Sequence, residues 1–398
     1  MGEDGYFKPQ MRKVPTGELM QPSRKTNGYG VQAEDTRICV VMVGLPARGK
    51  SLIAQKVVRY LGWLSIPAKT FNVGQYRRSN TPTPTAEFFD TSNAEGERLR
   101  RVAAEAAVDD MIRWFAAGSG IIAILDATNS TKDRRRWIQE RCDAEGIETL
   151  YVESKCDDED LIMSNILEVK TTSPDYKGQD PEKAAQDFRN RIKNYEKVYE
   201  TIDEDESHMT YVKLINVGKQ VIINRIQDYL QSRVVYYLMN LHIKPRSIWL
   251  SRTARFLEYE KLEWKALDEL DSGVCDGLTY AEIAEQYPED FKQRDDDKYN
   301  YRYLGGESYR DVVIRLEPII MELERSENIL IVTHQAILRC IYAYFMNVPQ
   351  ERSPWMEVPL HTLIKLTPKA YSTIEERLKA DIPAVSTFRE KGSLAKHQ

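Results

Sequence analysis

With 398 residues the chain exceeds one ordinary hydrophobic core, and at roughly 100 to 200 residues per domain it calls for two or three. Its 42% hydrophobic and 29% charged residues are those of a globular protein, which excludes wholesale disorder. The 56 basic and 61 acidic residues are interspersed and leave a net charge of -5, which excludes a global basic face for nucleic acid or anionic membrane, so any anion binding must be local.

Residues 1 to 35 show no helical or strand period and read as a tail. RICVVMV then reads as a buried strand, and it runs into Gly44, Leu45, Pro46, Ala47, Arg48, Gly49, Lys50 and Ser51, which fit G-x-x-x-x-G-K-[ST] at every fixed position. In that loop the glycines let backbone N–H groups turn toward phosphates, and the following helix, SLIAQKVVRYLGWL, presents its positive end to them. Lys50 would reach the β and γ phosphates of a nucleotide and Ser51 would ligate Mg²⁺. The rival reading is a glycine-rich turn that binds nothing.

The strand AKTFNV, the helix EGERLRRVAAEAAVDDMIRWFAA and the strand GIIAILD follow, a β-α-β-α-β rhythm that predicts a parallel sheet covered by helices on both faces. GIIAILD ends at Asp126, where a P-loop enzyme needs its second acidic residue near the metal. Beyond it DATNS exposes hydroxyls, and Arg134, Arg135 and Arg136 supply positive charge for an anionic acceptor. TLYVESK and YVKLINV read as two more strands, and GKQVIINRIQDYLQSRVVYYLMNLH as a helical stretch ending at Lys244 and Pro245. The domain boundary is placed there, giving a first domain over 36–245. A second α/β pattern over 246–372 contains SIWLSR and the buried strand ENILIVTH, and 373–398 reads as another loose tail.

Cys39, Cys142, Cys156, Cys275 and Cys340 form no C-x-x-C pair, so they signal neither a zinc site nor a disulfide framework and read as reduced intracellular thiols. No stretch reaches the roughly 18 uncharged apolar residues that span a bilayer, and MGEDGYFKPQ is too polar for a signal peptide. The expected location is the cytoplasm, with neither nucleic acid nor membrane as partner.

The stretches GLPARGKS, FNVGQYRR, LDATN, SPDY and RIKNY, in this order and spacing, closely resemble the kinase half of the 6-phosphofructo-2-kinase/fructose-2,6-bisphosphatase family. SRVVYYLMN, WKALDELDSGVC, DKYNYRYLGGESY, VTHQAILRC and PLHTLIKLTPKAY continue the resemblance through the bisphosphatase half, to about residue 372. It implies an α/β fold with an N-terminal P-loop kinase domain, followed by a phosphoglycerate-mutase-like histidine phosphatase domain. It also implies transfer of the γ-phosphate of ATP, with Mg²⁺, to the C2 hydroxyl of fructose 6-phosphate, in a homodimer joined through kinase domains. Carried over by motif, Lys50 and Ser51 hold nucleotide phosphates and metal, Asp126 lies beside the metal and the attacking hydroxyl, and Lys170 contacts the transferring phosphoryl. Asn165 begins a segment touching ATP. Arg77, Arg100, Thr128, Arg134, Arg191 and Tyr195 hold the sugar phosphate. Cys156 matches a family cysteine near the nucleotide, with a buried structural thiol as the rival reading.

The second half departs from the family pattern. R-H-G-E should follow its first strand, the histidine attacking the 2-phosphate, but here Arg252 is followed by Thr253, and no histidine lies between His242 and His334. Aligned on Trp264 and Glu269, the chain lacks about 58 residues in one block, enough for a helix and a strand of an α/β layer. Such a block removes the nucleophile and opens a sheet edge beside SIWLSR. The remnants of the site are Arg252, Glu269, Tyr280, Arg294, Lys298, Tyr309, His334, Gln335 and Arg339. The resemblance therefore implies a 6-phosphofructo-2-kinase with an inactive, truncated phosphatase half. The alternatives are a P-loop kinase for another phosphorylated acceptor, or a non-catalytic subunit of an intact homologue.

Overall fold

Ile38–Val43 (β1) is buried at all six positions, as a central strand of a parallel sheet must be. In the computed structural model, which describes residues 36–80, 85–172, 174–176, 180–216, 218–241, 246–252, 262–369 and 372–383, β1 sits between β3 (Ile122–Asp126) and β4 (Glu148–Lys155), parallel to both. With β2 (Ala68–Asn72), β5 (Tyr211–Ile215) and β6 (Gln220–Asn224) it forms a six-stranded sheet of order β2-β3-β1-β4-β5-β6. The chain leaves β1 for one side of the sheet and later returns to its other side. The strand ends at β1 therefore bound the crevice where ligands of open α/β sheets bind.

Alternation along β1 divides the core. Ile38, Val40 and Met42 face α1 (Lys50–Trp63) and α7 (Tyr229–Met239), whereas Cys39, Val41 and Val43 face α3 (Ala94–Ala116) and α4 (Lys132–Asp143). Helices thus cover both faces, as the β-α rhythm predicts. Three further helices, α2 (Val73–Asn80), α5 (Glu159–Thr172) and α6 (Pro181–Glu196), stand over the C-terminal ends of the strands.

The second sheet, of order β10-β9-β7-β8, comprises β7 (Ile248–Ser251), β8 (Ile329–Val332), β9 (Thr362–Pro368) and β10 (Thr373–Lys379). Between β7 and β8 the chain forms α8 (Tyr280–Gln286), α9 (Pro288–Asp296), α10 (Tyr309–Arg315) and α11 (Glu317–Arg325), and α12 (Gln335–Phe345) follows β8. Ile248, Leu250, Ile331, Ile364 and Leu366 join the same continuous core as α1 and α7. The two halves are also tied by polar contacts: Glu324 of α11 meets Lys56 and Arg59 of α1, and Tyr60 of α1 donates to Glu317 of α11 at 2.9 Å.

Three expectations need correction. The stretch expected to be one helix from Gly218 is a strand, β6, paired antiparallel with β5, before α7 starts behind the Asp228 N-cap. The tail expected from 373 begins as β10, whose seven residues pair with β9. The open sheet edge does not lie beside SIWLSR, because β7 pairs with β8 on one side and β9 on the other. The edge strands are β10 and β8, and along β8 Leu330 and Val332 are exposed. The expected N-terminal tail, the boundary at Lys244 and Pro245, and Thr253 fall outside the described residues.

Candidate functional site

The loop after β1 needs its glycines for different reasons. At Gly44 a Cβ would come within 2.5 Å of the Ser154 carbonyl oxygen, and Gly49, at φ 77°, turns the chain into α1. Ala47 takes the left-handed conformation without being glycine and is held there by Asn165, whose amide donates to its carbonyl at 2.9 Å. Ser154 donates to the Arg48 carbonyl at 2.5 Å, and the Gly44 N–H donates to Thr128 at 3.0 Å. The loop is thus held by β4, α5 and the segment after β3.

Lys50 rests on this loop, its Nζ donating to the Leu45 carbonyl at 2.5 Å. Burial pulls its pKa down to about 7, against the pull of Asp126. Asp126, buried at the tip of β3, accepts from Ser51 Oγ at 2.7 Å and from Asn72 Nδ2 at 2.6 Å, both on Oδ2. Burial pushes its pKa up, and Ser51, Lys50 and Asn72 oppose that shift. One hydroxyl beside one carboxylate is the donor set of a Mg²⁺ ion that takes its remaining ligands from phosphates and water, so the residues fit that ion.

A cavity of 1010 Å³ opens from Lys50, Ser51 and Asp126 toward the arginines. Arg77, 5% exposed, forms an ion pair with Asp175 at 2.7 Å, and Arg191 and Arg78 approach the same carboxylate at 3.3 and 3.4 Å. Phe89 lies beneath Arg191 at 3.9 Å. Even so, Arg77 Nη1 and Arg191 Nε are buried with no hydrogen-bond partner among the described residues. Unpaired buried donors on two cavity-lining guanidiniums call for an anion with several acceptor oxygens. Arg134 stacks on Trp137 at 4.8 Å, and burial draws its pKa down to about 10. Arg100, Thr128 and Tyr195 line the same cavity.

Several assignments sort differently from expectation. The three consecutive arginines do not share a face: Arg134 lines the cavity, Arg136 pairs with Asp133 in solvent, and Arg135 is fully buried against Glu206 at 2.5 Å. Arg135 belongs to the core, because one helical step from 134 turns it away from the cavity, and its guanidinium donates to Glu206 and to the Asn129 and Glu200 carbonyls. Cys156 is buried beside Leu161 and Ile166 in an apolar cluster. The side chain of Lys170 lies outside what the structure describes. Asn72, Phe89, Trp137 and Asp175 join the site although sequence reasoning gave them no role. Of these, Asp175 lies within the quoted SPDY motif and Asn72 within FNVGQYRR.

Residues 25–245 match the family model for 6-phosphofructo-2-kinase, and 251–380 match the histidine phosphatase superfamily, branch 1. The chain belongs to the 6-phosphofructo-2-kinase/fructose-2,6-bisphosphatase family. It is 51% identical over 426 aligned positions to a protein of Saccharomyces cerevisiae named fructose-2,6-bisphosphatase, covering 92% of this chain and 94% of that one. It is 43% identical over 407 positions to the 6-phosphofructo-2-kinase/fructose-2,6-bisphosphatase of Aquarana catesbeiana, covering 88% and 87%. To the human enzyme 1 it is 42% identical over 446 positions, covering 98% and 95%. Fructose 2,6-bisphosphate metabolism is therefore the chemistry of its family, and among the described residues no helix is long and apolar enough to cross a membrane.

In the bisphosphatase half of this family member, Glu269 accepts from the Ala336 N–H at the start of α12 at 3.2 Å and lies 4.0 Å from His334. Arg339 donates to the Met356 carbonyl at 2.8 Å and to Tyr309 at 3.3 Å, and Arg252 donates to the Val358 carbonyl at 3.4 Å. Arg294 lies over the Tyr280 ring at 4.6 Å, and Lys298 lies over Trp355 at 4.8 Å. Gln335 opens α12 next to His334. The His334 side chain is 60% exposed, so this cluster holds its histidine at the surface, not in an enclosed site.

Proposed function

We propose that this chain is an ATP-dependent 6-phosphofructo-2-kinase that does not hydrolyse fructose 2,6-bisphosphate through a phosphohistidine. One observation carries the kinase reading: Lys50, Ser51 and Asp126 share a single cavity with Arg77 and Arg191, whose buried N–H groups lack partners. Nucleotide phosphates and an acceptor phosphate thereby gain separate positive sites, with a carboxylate between them. Backbone amides of residues 44 to 51 cradle the nucleotide phosphates, and Lys50 leaves the Leu45 carbonyl for the transferring group. Asp126 accepts the proton of the C2 hydroxyl while Arg77 and Arg191 hold the 6-phosphate, which fixes the sugar for in-line attack. Mg²⁺ held by Ser51 and Asp126 would offset the charge that builds on the phosphates. The acceptor pair suits the phosphate of fructose 6-phosphate, the substrate that the family model names through its activity.

The same experiment tests both parts. Purified chain is incubated with ATP, Mg²⁺ and fructose 6-phosphate, and separately with 2-labelled fructose 2,6-bisphosphate. The expected results are acid-labile bisphosphate formed in the first reaction, with neither phosphate release nor acid-labile, base-stable label on the protein in the second. Label trapped on the chain would refute the phosphatase half of the reading, and absence of product in the first reaction would refute the kinase half. Alignments of 426 and 446 positions against 398 residues leave relatives' residues unmatched in this chain, which supports the reading that a block including the nucleophile is missing. An assay is needed here because the yeast relative bears the name of the opposite reaction.

Arg77→Ala and Arg191→Ala should raise the KM for fructose 6-phosphate with little change in that for ATP. Each charge-assisted contact is worth roughly 1.5 to 3 kcal/mol, or about 10- to 150-fold. Steady-state kinetics with each substrate varied in turn checks this, and the reverse split would reject the acceptor assignment.

A further inference from the structure

No loop separates β2 from α2: the strand ends at Asn72 and the helix begins at Val73. Asn72 is therefore both the tip of a strand and the residue before a helix. In the parallel pair of β2 and β3 its register partner is Asp126, so the two side chains leave neighbouring strand ends side by side. Both ends of the Asn72 amide are engaged. Its Nδ2 donates to Asp126 Oδ2 at 2.6 Å, and its Oδ1 accepts from the Gln75 N–H at 3.2 Å in the first turn of α2. That turn carries amides which no residue of the helix itself can satisfy. Ser51 occupies the same Asp126 oxygen at 2.7 Å, and among the described residues no hydrogen bond reaches Oδ1.

Gly74 leaves room for this arrangement, since a Cβ there would lie 2.9 Å from Asn72 Oδ1 and 3.2 Å from Arg78 Nη1. One turn further along α2 is Arg77, with its unpaired Nη1. A single amide thus spans the distance between the helix that offers a guanidinium to the acceptor and the carboxylate that meets the acceptor's hydroxyl.

We infer that Asn72 is a positioning residue that ties the acceptor-binding helix α2 to the Asp126 carboxylate, so that the grip on the sugar phosphate and the aim of the carboxylate are set together. The inference rests on the acceptor assignment above. Two donors pin Oδ2 and reserve Oδ1 for the reacting hydroxyl or the metal. The helix end of the same amide fixes where Arg77 stands.

The two ends of the amide are separable by substitution. Asn72→Ser keeps an acceptor suited to the start of a helix but is too short to donate to Asp126, and it adds no charge. Asn72→Ala loses both contacts. Three readouts are taken: hydrogen exchange of the α2 amides, calorimetric binding of fructose 6-phosphate without nucleotide or Mg²⁺, and steady-state kinetics. Asn72→Ala should lose protection in α2, bind fructose 6-phosphate about tenfold more weakly and show kcat reduced at least tenfold. In Asn72→Ser, α2 protection and sugar-phosphate binding should return to within about threefold of the unaltered chain, with kcat still reduced about tenfold. The KM for ATP should hold in both. A merely structural asparagine would lower stability without this split. Unaltered kcat in Asn72→Ser, or unaltered α2 exchange in Asn72→Ala, would overturn the inference. If the unaltered chain fails to phosphorylate fructose 6-phosphate, the functional reading falls, and the exchange contrast between the two variants still decides whether Asn72 positions α2.

Discussion

Lys50→Met should abolish kinase turnover, by a factor of about a thousand or more, while the chain stays folded. The side chain is buried, but among the described residues the hydrogen bond that its ammonium makes is to the Leu45 carbonyl, and methionine replaces the aliphatic stem without the charge. Burial has already pulled the Lys50 pKa down to about 7, so the folded protein gains little from its charge. The charge has its full value only against phosphate, and loss of one preorganised electrostatic group in a dry site costs about 100- to 1,000-fold in kcat. The P-loop lysine also helps bind the ground-state phosphates, which adds to that loss. Circular dichroism and thermal melting would verify the fold. Near-normal turnover in a folded Lys50→Met variant would show that the nucleotide sits elsewhere.

The proposed nucleotide site is legible in the sequence because its requirements are local. Eight consecutive residues specify a turn, a backbone cradle and a lysine, and the apolar run before them supplies the strand. The proposed acceptor site is a meeting of distant residues. Asp175 lies 98 positions from Arg77, and Asn72 lies 54 from Asp126, so no window of sequence contains either pair. Only the resemblance to the family picked Arg77 and Arg191 out of 56 basic residues, and it said nothing of what holds them in place. The strand β6 was hidden for another reason. Val221, Ile222 and Ile223 precede the apolar positions of α7 closely enough to extend its helical period backward, and the Asp228 N-cap marks where that period begins. At β10 the sequence TIEERLK has only Ile374 and Leu378 as apolar residues, both exposed and with Glu376 between them on the same face, so no clear alternation announces a strand.

The second half of the chain also supports the first, through Glu324. This carboxylate is 0% exposed and accepts from Lys56 at 2.7 Å, Arg59 at 2.6 Å, Arg246 at 2.7 Å and Tyr344 at 2.7 Å. Lys56 and Arg59 belong to α1, the helix that starts at Lys50 and Ser51, whereas Glu324 and Tyr344 belong to α11 and α12. The far end of the P-loop helix is thus anchored in the second half of the chain. Glu324→Ala would leave two buried or nearly buried cations of α1, and Arg246, without their shared counter-charge. Breaking a buried pair from one side costs about 3 to 5 kcal/mol, and the loss here should be at the upper end of that range. Urea titration should show it, with kinase activity lost in step with the fold. A change below about 1 kcal/mol would mean that water reaches the cluster and screens it. Acid titration gives a second readout. Burial alone would raise the Glu324 pKa, but Lys56, Arg59 and Arg246 together hold it well below the usual carboxylate value. A depressed folded pKa gives stability that is fully present above the unfolded value, about 4.3, and lost as pH falls through the folded one. The unaltered chain should therefore lose this share of its stability below about pH 4.3, and Glu324→Ala, already without it, should show a shallower acid slope.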